Sequence, residues 1–277
     1  MTSPTIAVTG ATGNVGRAVT TLMNEAGVRP RLVVRDAGRA PAGHEVAVAS
    51  YGDAIAARTA LDGVDVLLLV SASESADRVA QHRTIVDAAA SAGVRHVVYT
   101  SFLGAAPDAT FTLGRDHWAT EEHLRASGMA WTMLRDSFYL DFLPLMAGED
   151  GVVRGPAGDG RVGAVARADV ARSAAAVLLD PAAHAGRAYD LTGPEALSLE
   201  EVAAIVAEVT RRPTTYLRES LEEAYASRAS YGAPDWQVDA WVSTYTAIAA
   251  GELDVVTDDV ATLTGRAPVG LAELLRG

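Results

Sequence analysis

Three glycines recur at intervals of three near the start of the chain, in the stretch VTGATGNVG. Gly10 allows a sharp turn off a strand, Gly13 leaves room for a pyrophosphate beside the backbone, and Gly16 lets the next helix pack closely. That helix would begin with free N–H groups and a partial positive charge, which attract phosphate. Thr12 and Asn14 can add side-chain donors. The pattern predicts a dinucleotide-binding turn, and a glycine-rich turn without a ligand is the alternative.

The end of the second predicted strand bears on which dinucleotide binds. The sequence there reads LVVRDAGRA, with Arg35 directly after the strand and Arg39 four residues later. An arginine at this point accommodates the 2′-phosphate of NADP, whereas an acidic residue hydrogen-bonds the ribose 2′-hydroxyl of NAD. Arg35 therefore favours NADP. Asp36 would favour NAD if it faced the ribose, and Arg35 as a solvated loop charge is a further alternative.

His117 and Glu121 are four residues apart in a predicted helix, so they share one of its faces. A histidine oriented by a carboxylate can act as a proton relay near neutral pH. The same spacing is also typical of a surface helix pair, and both interpretations stay open.

The elements that would position these residues follow from hydrophobic periodicity. Short β-branched runs alternate with alanine-rich amphipathic stretches, which is typical of βαβ units around a parallel sheet. The apolar run DVLLLV indicates a strand covered on both faces. The predicted strands are 5–9, 31–34, 45–49, 65–70, 94–100 and 129–134, and the predicted helices are 15–26, 53–61, 76–92 and 115–127. We therefore expect an α/β fold with a doubly wound parallel sheet.

The regular alternation of predicted strands and helices ends after about residue 140. Residues 151–163 are glycine-rich and are predicted to be a loop, followed by a helix over 167–179 and a short strand over 188–192. Ser198 and Glu201 form a capping box before a helix over 199–210, and the last third is predicted to be helical and loopy. We expect a nucleotide-binding domain over 1–145 and a smaller α/β substrate-binding portion over 146–277, packed on the carboxyl edge of the sheet.

Composition excludes several classes of function. The net charge is −12 and no basic run occurs, so nucleic acid and anionic membrane surfaces are not expected partners. The chain has no cysteine, and its histidines show no close metal-ligand spacing, so no metal site is expected. The N-terminus lacks the pattern of a signal peptide and the longest apolar run is too short to span a bilayer. The composition fits a reducing cytoplasm, which is the expected location.

Several segments together resemble one family. The spacing Gly-x-x-Gly-x-x-Gly resembles the short-chain dehydrogenase/reductase superfamily. Further segments look like its atypical NmrA-like branch, and within it they are most similar to the NADPH-dependent quinone oxidoreductases of type 2. Those segments are TGATGNVG, LVVRD, GVDVLLLVS, AAASAGVRHVVYTSFLGA, HWATEEHLRASGMAWTMLRDSFYLDFL, RADVARSAAAVLLDP and YDLTGPEALSLEEVA.

The resemblance implies a Rossmann-like fold that binds NADP at the carboxyl edge of the sheet. It assigns cofactor contacts to three groups of residues, in the glycine turn, at the adenosine half and beside the nicotinamide. These are Gly10, Thr12, Gly13, Asn14, Val15 and Arg35 (turn and 2′-phosphate), Ser71 and Ala72 (adenosine), and Thr100, Ser101 and Phe102 (nicotinamide).

The chemistry of the superfamily needs a Tyr–Lys pair on one helix, with the tyrosine protonating a carbonyl oxygen. The matching helix of this chain carries His117 and Glu121 instead. An ordinary ketone yields an alkoxide that needs a strong proton donor, whereas a quinone yields a stabilised phenolate, for which orientation can be sufficient. The missing pair argues against ordinary alcohol oxidation and is compatible with quinone reduction or with no catalysis.

A flat aromatic substrate needs an apolar slot with few polar groups. The expected catalytic residues are His117, Ser101 and Tyr139, and the expected substrate contacts are Phe102, Trp118, Asp136, Phe138 and Tyr139. Phe142 is expected to be core. Relatives often carry Asn where this chain has Asp136, so that an ionisable carboxyl replaces a neutral amide.

The sequence therefore predicts an NADPH-dependent oxidoreductase that transfers hydride to a quinone or a similar electron-poor small molecule. A reductase of an imine or enone in small-molecule biosynthesis is a close variant. A redox sensor of the NmrA type, which binds NADP without turnover, is the alternative from another class. The oligomeric state is open, with a homodimer as one option.

Overall fold

A computed structural model describes residues 4–277. Its strands, in chain order, are β1 (Ile6–Thr9), β2 (Arg31–Val34), β3 (Val46–Val48), β4 (Val66–Leu69), β5 (His96–Phe102), β6 (Ala130–Asp136), β7 (Val152–Gly155), β8 (Arg161–Val162), β9 (Arg187–Leu191), β10 (Leu197–Ser198) and β11 (Thr215–Arg218). Its helices are α1 (Asn14–Glu25), α2 (Ala54–Ala60), α3 (Arg78–Ser91), α4 (Thr112–Ala126), α5 (Arg167–Leu179), α6 (Leu199–Thr210), α7 (Leu221–Arg228), α8 (Asp235–Ala249), α9 (Asp259–Thr264) and α10 (Leu271–Arg276).

The main sheet has the strand order β3-β2-β1-β4-β5-β6-β9. The pairs of β1 with β2, β1 with β4, β2 with β3, and β4 with β5 are parallel. The first six strands follow the order 3-2-1-4-5-6 of the doubly wound dinucleotide-binding fold. The predicted fold class is confirmed.

The chain forms two compact units, each made of more than one segment. The first contains residues 1–101, 116–135 and 170–189, and the second contains 102–115, 136–169 and 190–277. The predicted division at residue 145 stays a prediction about which part serves the cofactor and which the substrate.

The core of the first unit lies around the central strands. Leu67, Leu68 and Leu69 of β4 are fully buried, as the continuous apolar run predicted for a strand covered on both faces. Each such side chain contributes roughly 2 kcal/mol through removal from water. Helix α1 buries Val15 and Val19, which are four residues apart and share one face.

The second unit corrects the expectation of a plain glycine loop over 151–163. The stretch contains β7 and β8, and β7 pairs in parallel with β11, which the sequence did not predict either. The glycines serve close packing: a Cβ added at Gly155 would lie 2.1 Å from the Tyr245 ring. The capping box at the start of α6 is confirmed, because Ser198 and Glu201 bond each other's backbone amides.

Strands β5 and β6 each run two residues further than predicted and end at Phe102 and Asp136. The Leu103 amide then donates to the Asp136 carbonyl at 2.9 Å. This bond extends the pairing of β5 with β6 beyond the apolar residues of the two strands. No helix among residues 4–277 has the length and apolar character required to cross a membrane.

Candidate active site

The glycine turn lies between β1 and α1 and has the geometry that its sequence predicts. Gly10 has a φ of +61°, a left-handed conformation that glycine adopts without strain. A Cβ on Gly16 would lie only 2.3 Å from the Gly10 carbonyl oxygen, so the helix approaches the turn too closely for any side chain there. Gly13 is the N-cap of α1 and has no side chain to bond the first amides of the helix. Those amides and the exposed Gly13 suit a pyrophosphate.

The segment after β4, which contains the predicted adenosine contacts Ser71 and Ala72, is fixed by buried side chains. The amides of residues 70 and 71 donate to the hydroxyl oxygens of Thr9 and Thr100, at 2.9 and 2.8 Å. The Ala72 amide donates to His82 Nε2 at 2.9 Å. Each of these three acceptor side chains is at most 1% exposed.

His82 holds the segment after β4 in place, a role that the histidine spacings in the sequence did not indicate. Because Nε2 accepts from Ala72, Nδ1 carries the hydrogen and donates to Thr120 Oγ1 at 2.8 Å. Burial, and secondarily the Arg78 guanidinium, lower the pKa of His82 to about 3.

Arg35 and Asp36 follow β2, as predicted, and both are exposed. The Asp36 carboxylate accepts the Gly38 amide at 2.9 Å and caps a short 3-10 turn over Ala37–Arg39. One of its oxygens is therefore used by its own loop. Arg17 and Arg39 line a cavity of about 340 Å³ beside this loop and α1.

His117 is buried, and both of its ring nitrogens are engaged. Arg78 Nη2 donates to Nε2 at 2.9 Å, so Nδ1 carries the hydrogen and donates to the Tyr99 hydroxyl at 2.9 Å. Burial, then the charge of Arg78 and the neighbouring His82, lower the pKa of His117 well below its usual value. The ring is neutral at pH 7, and a relay in which Glu121 orients it is not formed.

Glu121 belongs to a different buried network. Its carboxylate is bound by Arg135 at 2.7 and 2.9 Å and by Arg125 at 2.8 Å, and it accepts the Ser101 hydroxyl at 2.6 Å. Burial by itself raises the pKa of Glu121, but the bonds from Arg135, Ser101 and Arg125 bring it below its usual value. The alternative of a surface pair with His117 is wrong, since both residues are buried. Ser101 points its proton at Glu121, so in this arrangement it can only accept.

The predicted aromatic slot residues of the second unit lie at the end of β5 and directly after β6. Phe102 contacts Phe111 with ring centroids 4.7 Å apart, and Phe138 contacts Phe142 edge-on at 5.6 Å. Phe142 was expected in the core and is 42% exposed. It lies in the 3-10 segment Leu140–Met146, whose inner face is taken by leucines at 140 and 143.

Asp136 and Tyr139 form a pair in the same unit. The Tyr139 hydroxyl donates to Asp136 Oδ2 at 3.1 Å, and the Arg167 guanidinium lies over the Tyr139 ring at 5.0 Å from its centroid. Main-chain bonds from Leu140 and Val165 hold this segment like a strand, each 2.9 Å long. Trp118, in the first unit, is partly exposed on α4.

Residues 10–181 match the family model described as NAD(P)H-binding. This chain belongs to the NmrA-like family of NAD(P)H-binding proteins. It is 35% identical to quinone oxidoreductase 2 of Escherichia coli, over 97% of this chain and 96% of that protein. It is also 36% identical to a (4-alkanoyl-5-oxo-2,5-dihydrofuran-3-yl)methyl phosphate reductase of Streptomyces griseus, over 94% and 93%.

Among solved structures, the chain is similar to the NADPH complex of the Escherichia coli NADPH-dependent quinone oxidoreductase. The TM-score is 0.89 and the identity 35%, covering 98% of each chain. The family resemblance drawn from the sequence is confirmed.

Proposed function

We propose that this protein is an NADPH-dependent reductase that delivers hydride to a quinone or a similarly electron-poor, conjugated small molecule. The observation that carries the proposal is the bonding of His117. It occupies the helix that bears the Tyr–Lys pair in standard short-chain dehydrogenases, yet both of its nitrogens are engaged and its ring is neutral. The chain has no lysine at all. Such a site suits acceptors whose reduced anion is already stabilised.

The glycine turn, the segment over 70–72 and Thr100 are the residues that would hold the cofactor. When bound, reduced nicotinamide supplies a hydride, that is, two electrons with one hydrogen nucleus. The protein's part is to fix the geometry, and the buried acceptors Thr9, Thr100 and His82 do so for the segment that follows β4.

NADPH is favoured over NADH by the charges after β2. Arg35 is exposed at the strand end, and a guanidinium binds phosphate through paired donors. Asp36, the residue that would favour NAD, already accepts from Gly38. Arg17 and Arg39 add two cations beside the same loop, in a chain that is acidic overall.

The substrate side would be formed by the aromatic residues that end β5 and follow β6. Phe102, Phe138 and Tyr139 supply flat apolar surface, and Tyr139 adds a hydroxyl. Apolar surface with few polar groups is the usual lining of a small-molecule site. The similarity to quinone oxidoreductase 2 of Escherichia coli over nearly the whole chain supports the same substrate class.

The test follows the absorbance of reduced nicotinamide in purified protein, with a panel of benzoquinones and naphthoquinones and with NADPH and NADH in parallel. We expect quinone-dependent oxidation of NADPH far above the uncatalysed rate. Saturable NADPH binding without oxidation by any acceptor would overturn the reductase and support the redox sensor. Preference for NADH would overturn the role given to Arg35.

An enone is the second candidate acceptor. The Streptomyces griseus relative is a reductase of a (4-alkanoyl-5-oxo-2,5-dihydrofuran-3-yl)methyl phosphate, and its identity to this chain is 36%, against 35% for the quinone oxidoreductase. Adding cyclic enones and acyl-dihydrofuranones to the same panel separates the two classes. Faster turnover of these than of any quinone would make the enone the substrate class.

A further inference from the structure

One face of α1 is polar and lines a cavity in the first unit. Residues 17, 20, 21 and 24 follow one another at helical spacing, on the side of the helix away from the buried Val15 and Val19. Residues 39–42 and His44 form the facing wall. The cavity has a volume of about 340 Å³, which is in the usual range for a small-molecule site. All of its lining residues belong to the first unit, so the cavity is complete within that unit.

The loop that forms the facing wall is held by hydrogen bonds at its far end. The Arg29 guanidinium donates to the Gly43 carbonyl at 3.1 Å. His44 Nδ1 donates to the Pro30 carbonyl at 3.0 Å, which leaves Nε2 to accept from the Asn24 amide on α1 at 3.1 Å. The cavity is therefore formed in the free protein, and a ligand that enters it has little of the loop to order.

Two arginines supply the charge of the cavity. Arg17 and Arg39 both line it, and neither side chain has a hydrogen bond or ion pair within residues 4–277. The side chains of Asn24 and His44, which bond each other, lie about 10 Å further along α1 than Arg17. No carboxylate is among the described residues that line the cavity, although the chain has 35 acidic residues against 23 basic ones. Two guanidiniums in a cavity without an acid favour an anion at that end.

The charged end of the cavity adjoins the glycine turn. Arg17 directly follows Gly16 and lies in the first turn of α1, where the helix dipole adds positive potential. Arg39 ends the 3-10 turn that starts two residues after Arg35. The two guanidiniums thus come from the helix that the glycine turn opens and from the loop that Arg35 begins. None of the residues assigned to the cofactor by the family resemblance lines this cavity.

We propose that this cavity is a phosphate-binding site, in which the guanidiniums of Arg17 and Arg39 bind one phosphate monoester between them. A guanidinium donates paired hydrogen bonds to phosphate oxygens, and two of them match the charge of a monoester near pH 7. Two sources share this chemistry, the 2′-phosphate of NADPH and the phosphate of a separate small molecule. The 2′-phosphate is the expected source, because the charged end adjoins the glycine turn and the loop after β2. For that source the inference rests on the proposed function.

Adenosine 2′,5′-bisphosphate and 5′-AMP test the expected source, because the two ligands differ only in the 2′-phosphate. Isothermal titration calorimetry of the whole protein gives the Kd of each. In Arg17→Gln and in Arg39→Gln we expect the Kd for the bisphosphate to rise about 10- to 100-fold, through loss of hydrogen bonds to a charged group. The Kd for 5′-AMP should stay nearly the same, since the glycine turn is unchanged. Both arginines are exposed, so the variants should fold.

Three further variants make the result specific. Arg58→Gln removes an exposed arginine of α2 in the same unit and should change neither Kd. The double variant of Arg17→Gln and Arg39→Gln should lose less binding free energy than the sum of the single losses, because both arginines bind one group. Thr21→Glu keeps both arginines and adds a carboxylate one turn from Arg17 on the same face of α1. It should weaken the bisphosphate and leave 5′-AMP nearly unchanged.

Inorganic phosphate, titrated into protein that is saturated with NADPH, tests the second source. If the 2′-phosphate fills the cavity, no heat of binding is expected. Binding that Arg17→Gln and Arg39→Gln both abolish, with an unchanged Kd for the bisphosphate, would support the phosphate site with a separate phosphorylated molecule as its ligand.

The outcomes decide this inference without any electron acceptor. Affinities for the bisphosphate and for inorganic phosphate that stay unchanged in Arg17→Gln and Arg39→Gln overturn it, and so does wild-type protein that binds neither. An equal loss for the bisphosphate and 5′-AMP also overturns it, because that is the effect of net charge or of a damaged glycine turn. Absence of quinone turnover would end the proposed function and leave these Kd values, and the phosphate site, unaffected.

Discussion

Arg35 is the side chain on which nucleotide choice depends in this proposal. Its guanidinium is exposed at the end of β2, and the neighbouring Asp36 is used by its own loop. In Arg35→Ser we expect the KM for NADPH to rise about 10- to 100-fold, since hydrogen bonds to a charged group contribute about 1.5–3 kcal/mol. The KM for NADH should change little.

Arg58→Ser is the matched control, because Arg58 is exposed on α2 and lies outside the proposed site. Steady-state kinetics gives the KM for NADPH and for NADH in wild type and in both variants. Equal changes for NADPH and NADH in Arg35→Ser would contradict recognition of the 2′-phosphate.

The hydrogen bonds of His117 and Ser101 show why residue type alone does not decide which groups are catalytic. His117 and Ser101 have the right chemistry, but the proton of Ser101 is held by Glu121 and both nitrogens of His117 are bonded. Their catalytic roles stay predictions. Whether a side chain has a proton available for a substrate depends on its hydrogen-bond partners. Those of His117 and Ser101 come from segments that are distant in the sequence.

At the scale of elements, the segment after β4 is held by three hydrogen bonds from its amides to buried side chains. Thr100→Val keeps the side-chain shape and removes the acceptor of the Ser71 amide. The unsatisfied buried N–H should lower the free energy of unfolding by about 1–3 kcal/mol. We also expect a higher KM for NADPH with a nearly unchanged kcat, because the adenosine half is displaced and the reacting atoms are not.

Urea unfolding and steady-state kinetics measure the two effects of Thr100→Val. Thr59→Val, on an exposed position of α2, is the control. A loss confined to kcat would contradict the positioning role.

At the scale of the whole molecule, buried neutral histidines make stability depend on pH. His82 has its pKa lowered to about 3, and the pKa of His117 is also lowered well below its usual value. Between pH 6.5 and 5 the unfolded chain binds protons on these rings while the folded chain does not. The free energy of unfolding should therefore fall as pH falls, by about 1.4 kcal/mol per pH unit for each histidine.

Urea unfolding at pH 7.5, 6.5, 5.5 and 5.0 measures this slope. His82→Gln should reduce it by about 1.4 kcal/mol per pH unit, because one proton-binding difference is removed. Identical slopes in wild type and variant would show that His82 is not held neutral.

Local pattern was sufficient for the fold class, the conformation of the glycine turn and the capping box of α6. Each depends on residues that are near one another in sequence: glycines between a strand and a helix, a run of leucines, and a serine three residues before a glutamate. The short strands β7, β8 and β11 were missed because their pairing partners are remote, and β7 has glycine where Tyr245 packs.

The sequence by itself determined a doubly wound parallel sheet, a glycine turn between the first strand and the first helix, and the capping box of α6. Only the tertiary structure decided that Glu121 binds two arginines rather than His117, that His82 accepts the Ala72 amide, and that burial raises the pKa of Asp136. The physical reason is that protonation and hydrogen bonding depend on burial and on partners. Folding brings those partners together from segments far apart in the chain, and no spacing in the sequence encodes them.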